Sequence, residues 1–87
     1  MGIKEVYVTK GDGVGTHYVL MVNADGSLTF NWYNNTNKMV ENNPIMVKKP
    51  NGCMMLEYGE KNLFGLRRVI PFLDKDGVLD SRWERIK

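Results

Sequence analysis

The sequence predicts an all-β fold: a small barrel or two-layer antiparallel meander of about seven short strands, a first strand followed by three hairpins. Three observations carry this reading. Asp25-Gly26, Asn51-Gly52 and Asp76-Gly77 lie between short apolar runs, with their glycines 26 and then 25 residues apart. Such a pair between alternating hydrophobics is the strongest short-range hairpin signal. The segments after the turns also match one another. Leu28, Met54 and Leu79 stand two positions past each glycine, and Trp32, Tyr58 and Trp83 stand six past it. Period-2 spacing puts both positions on one strand face, which makes the three aromatics core candidates. Finally, 87 residues with 43% hydrophobic and 25% charged content fit one globular domain, 1–87, with a modest core. The matched positions also suit a degenerate repeat of about 25 residues. Hairpins share this pattern in general, and Ser81 interrupts the apolar series, so repetition is the lesser reading.

Taken in order, Ile3 to Thr9 alternates and is rich in β-branched residues and Tyr, so it is the first strand. Residues 10–16 hold three glycines and form a loop. His17 to Asn23 and Leu28 to Tyr33 make the first hairpin. A two-residue loop at Asp25-Gly26 pairs Met21 with Phe30 and Val19 with Trp32 on the core face. It leaves Tyr18, Leu20 and Val22 on the opposite, mixed face, with Tyr18 across from Tyr33. A one-residue slip would exchange the two faces. The Asn-rich stretch 34–43 reads as loop, with one helical turn admitted at 36–41.

Ile45 to Lys49 and Cys53 to Tyr58 make the second hairpin, where Pro50-Asn51-Gly52 suits a type I turn with a glycine bulge. Leu63 or Leu66 to Leu73 is the next strand. Pro71 cannot donate to a ladder, so this strand lies at an edge or carries a bulge. Val78 to Ile86 reads as the returning strand of a three-residue-loop hairpin, with Leu79 opposite Leu73, Glu84 opposite Arg68 and Arg85 opposite Arg67. The competing reading is a helical turn over 80–86, since Leu79, Trp83 and Ile86 share a helical stripe.

Composition excludes more than it selects. No apolar run reaches the length of a membrane span, and no signal peptide is visible. A single cysteine, Cys53, forms no internal disulfide, which favours a reducing, cytoplasmic setting. Net charge is +2, but residues 61–87 hold seven cations against four carboxylates. That basic end is far short of a dedicated nucleic-acid binder.

The chemical motifs are weak. Gly11, Gly13 and Gly15 before His17 resemble an anion-binding loop, yet the phosphate-loop spacing and its lysine are missing and a strand follows. His17 is the sole histidine, and no nucleophile is placed for it. A histidine at a strand start is the plainer reading. Asp74, Asp76 and Asp80 fall short of a calcium loop, and turn chemistry accounts for the first two. Cys53 beside Lys48 and Lys49 is a modest thiol candidate.

The expectation is therefore a non-enzymatic binding protein without metal or cofactor. It acts on a protein partner as a regulator or inhibitor, of the kind phages encode as accessory factors. Arg67, Arg85, Tyr18 and Tyr33 are the candidate contacts, and homo-oligomerisation is open. Arg67 and Arg85 lead because two facing like charges need an intervening anion. The alternatives are a small single-strand nucleic-acid-binding barrel, from arginines interleaved with aromatics, and a small-ligand pocket.

Overall fold

The computed structural model describes residues 2–9, 16–34, 37–41 and 44–87, with backbone alone for 16, 32–34 and 37–41. It is all-β. The strands are β1 (Ile3–Thr9), β2 (Thr16–Asn23), β3 (Leu28–Asn34), β4 (Asn37–Glu41), β5 (Ile45–Lys48), β6 (Met54–Tyr58), β7 (Arg68–Leu73) and β8 (Trp83–Arg85). They form two open antiparallel sheets, ordered β4-β3-β2-β1-β8 and β5-β6-β7. Neither sheet closes into a barrel. The chain divides into two compact units, Met1–Glu41 with Arg82–Lys87, and Asn42–Ser81. No helix among the described residues is long and apolar enough to cross a membrane.

In the first unit, the β2–β3 register differs by one residue from the sequence expectation. Leu20 pairs with Phe30, Tyr18 with Trp32 and Met21 with Thr29. The reason lies in the turn. Asn23 N–H donates to Ser27 O at 2.9 Å and Gly26 N–H to Asn23 O at 2.9 Å, so the loop holds three residues, not two. Gly26 takes φ +88, the left-handed position of a glycine bulge. The slip exchanges the faces. Leu20 and Phe30, with no exposed surface, are core, so the Tyr18/Leu20/Val22 face expected to lie opposite the core carries Leu20 into it. Tyr18 is half-buried and stacks on Phe30 at 5.5 Å between ring centroids. Burying two large apolar side chains outweighs the turn preference that pointed the other way.

Residues 37–41 form β4, not a helical turn; Thr36 lies outside the described residues. Their pairing along β3 supplies ladder hydrogen bonds that a single helical turn lacks. Residues 83–85 are likewise strand and not helix, but their partner is β1, with Tyr7 opposite Arg85 and Thr9 opposite Trp83. Trp83 is 3% exposed, and its burial accounts for the element's position better than its three-residue length does. The expected facing of Arg67 with Arg85, and of Arg68 with Glu84, is therefore absent.

The second unit follows its hairpin signals closely. Lys49 N–H donates to Cys53 O at 2.8 Å and Gly52 N–H to Lys49 O at 2.9 Å, with Gly52 at φ +95, which is the turn and bulge expected at Pro50-Asn51-Gly52. Pro71 sits on the edge strand β7, and β7 is bulged beside it, with Met54 opposite Leu73 and Met55 opposite Pro71, so both expected accommodations occur. Leu56, Tyr58, Ile70 and Phe72 are buried on one sheet face. The third hairpin begins as expected, with Leu79 opposite Leu73 across a three-residue loop, but only that one bridge forms. Strand β7 starts at Arg68, and residues 63–66 belong to a loop.

Candidate functional site

Four loops share one construction, although only three announced themselves. In each, the residue before the loop donates its N–H to the residue after it, and a glycine N–H returns to the first carbonyl. The bracketing pairs are Asn23/Ser27, Lys49/Cys53, Asn62/Leu66 and Asp74/Val78. The glycines are Gly26, Gly52, Gly65 and Gly77, all at φ between 76 and 95. Asp and Asn side chains brace them. Asp25 Oδ1 accepts from Ser27 N–H and Oγ–H, and Asn51 Oδ1 from Cys53 N–H. Asp74 Oδ1 accepts from Asp76 and Val78 N–H. That bracing gives Asp74, one of the three aspartates weighed above as a calcium loop, a turn role. Asp25's carboxyl lies below the usual range, first because the Ser27 hydroxyl donates to it.

The fourth loop is distinct in what it carries. It forms the middle of the β6–β7 connection, residues 59–67. Asn62 Oδ1 accepts from Phe64 N–H at 2.8 Å and Leu66 N–H at 3.1 Å. At its base, Arg67 Nε donates to Gly59 O at 2.7 Å. The tip residues are apolar and in water: Leu63 is 101% exposed and Phe64 85%. Leu66 beside them is exposed too. Among the described residues, six of the eight exposed large hydrophobics, including Ile45, Val69 and Val78, belong to the second unit.

The expected contacts are placed differently. Arg85 stands on β8 beside Glu5, with Nη2 3.3 Å from Oε2, and its guanidinium lies 5.9 Å from the Tyr7 ring centroid. Tyr7 Oη–H donates to the same carboxylate at 2.8 Å. Burial, then that hydrogen bond, pushes the Tyr7 phenol above its usual pKa. Arg85 thus has an acid neighbour and no facing arginine. Arg67 belongs to the other unit, at the foot of the apolar loop. Tyr33 is paired with His17 along the backbone, and its side chain lies outside the description. Gly11, Gly13 and Gly15 lie outside the described residues; His17 is half-buried on β2. Of the core aromatics, Tyr58 and Trp83 are buried, and the Trp32 side chain is not described.

Among the described residues, no group of three or more His, Cys, Asp or Glu side chains could hold a metal. A pocket of about 170 Å³ lies between the first strand and the first hairpin loop, lined by Gly2, Ile3, Asn23, Ala24, Asp25 and Ser27. That volume is below the range of ordinary small-ligand sites.

The strand expected from Leu63 or Leu66 starts instead at Arg68, beyond the apolar loop. A signal was present: Asn62-x-x-Gly65 repeats the spacing of Asn23-x-x-Gly26 and Asp74-x-x-Gly77. It lacks an Asn or Asp immediately before the glycine, the pair on which hairpins are usually read. No known family model, no curated protein and no solved structure matches this chain.

Proposed function

We propose that this chain is a small non-enzymatic binding protein that acts on a protein partner as a regulator or inhibitor. The observation that carries the reading is the exposed pair Leu63 and Phe64 at the tip of a hydrogen-bonded loop. A single exposed Leu is ordinary on a protein surface. Adjacent exposed Leu and Phe, with Leu66 beside them, form an apolar patch of the kind that marks interaction sites. Phe also suits the buried centre of an interface.

The nucleic-acid alternative leaned on an arginine array. Two of its arginines have local partners: Arg85 pairs with Glu5, and Arg67 sends its Nε to a backbone carbonyl. For the small-ligand alternative, the pocket beside Ile3 is about 170 Å³, smaller than ordinary ligand sites. Affinity capture from extract with the full chain, with and without nuclease, tests the choice. A protein retained after nuclease treatment is expected. Capture that vanishes with nuclease would overturn the reading in favour of nucleic acid.

A further inference from the structure

We propose that the Asn62–Leu66 loop is a preformed docking finger whose partner is a protein with an apolar pocket rimmed by carboxylates. The inference rests on the protein-binding reading above. The loop's three sisters serve as internal controls. With the same backbone hydrogen bonds, they place Ala24 and Asp25, Pro50 and Asn51, or Lys75 and Asp76 where this loop places Leu63 and Phe64. The turn therefore does not require apolar residues at its tip. Asn62 and Gly65 make the turn, and Leu63 and Phe64 contribute side chains that the turn leaves in water. Because the backbone is already fixed, little ordering entropy is lost when the tip is buried.

The charges around the tip describe the rim of the pocket. Lys61 and Arg68 are exposed and Arg67 is half-exposed at the base, with Glu60 the one acid on the connection. An acidic rim complements that set. A shaped pocket also suits the tip better than a lipid surface does. Two side chains insert less hydrocarbon than a single acyl chain, which itself anchors only marginally. A pocket adds close dispersion contacts to the transfer of apolar surface. Leu63, moreover, offers no ring for a base to stack on.

The test uses the full chain with the photoreactive residue p-benzoylphenylalanine in place of Phe64, irradiated in extract. The crosslinked protein is identified, purified and titrated with wild type, Phe64→Ser, the pair Lys61→Glu with Arg68→Glu, and Lys75→Glu as a sister-loop control. A crosslinked segment containing Asp or Glu is expected. Phe64→Ser is expected to weaken binding about thirtyfold or more, as loss of an interface anchor does. The charge pair is expected to slow association and flatten its salt dependence, while Lys75→Glu binds as wild type and all variants melt as wild type. A partner that binds Phe64→Ser as tightly as wild type overturns the finger and leaves the protein-binding reading intact. A partner that tolerates the charge pair unchanged overturns the acidic rim. Phe64-dependent binding to phosphatidylserine vesicles, with no protein crosslinked, overturns both in favour of a membrane surface.

Discussion

Glu5, Tyr7 and Arg85 show how little a conspicuous cluster can weigh at the scale of single residues. The Arg85 side chain is 55% exposed and that of Glu5 24%, so solvent screens their pairing and it contributes only about 0.2–1 kcal/mol. The phenol has a clearer signature. Its raised pKa means that the folded chain holds the Tyr7 proton more tightly than the unfolded chain. That stabilisation is complete below the ordinary value of 10.0 and is lost as pH rises through the higher folded value. Melting curves taken across that alkaline range are expected to fall more steeply for wild type than for Tyr7→Phe. Gly65 offers a second test. Its φ is +76 and an added Cβ would meet nothing within 4 Å, so Gly65→Ala costs conformational strain alone. About 1 kcal/mol is expected, or roughly 4–8 °C in melting temperature.

At the scale of elements, β8 is the sharpest case. Three residues of strand are held by Trp83, which is 3% exposed, and by the exchange between Val6 and the chain end, where Ile86 N–H donates to Val6 O at 2.9 Å and Val6 N–H to Lys87 O at 3.0 Å. Trp83→Ala is expected to cost about 3–5 kcal/mol, read by denaturant titration, a large share of a small domain's stability. A cost below about 1 kcal/mol would show that Trp83 does not anchor the strand. The sequence pattern located most strands, because alternation and Asp-Gly or Asn-Gly pairs are local signals. Pairing is not local. Nothing in residues 78–86 says that Trp83 leaves the Leu73–Leu79 hairpin for β1. The β2–β3 register turned on one residue of loop length, which Asp25-Gly26 leaves ambiguous and the burial of Leu20 and Phe30 decides. The apolar loop was readable in Asn62-x-x-Gly65, but its exposure was not, because Leu-Phe next to a strand resembles core until the register is known.

At the scale of the whole molecule, the chain builds one unit from its two ends and the other from its middle, 42–81. The middle unit carries most of the exposed apolar side chains among the described residues, and it alone holds the Leu63–Phe64 tip. The central claim is that this tip meets a protein. An NMR titration of the isotope-labelled full chain with the purified crosslinked partner reads it most directly, because every backbone amide reports at once. The account predicts shifts or broadening concentrated at residues 60–69, with the amides of Val19, Leu20 and Phe30 unchanged. Perturbation centred on β1–β3, with Leu63 and Phe64 unmoved, would contradict it.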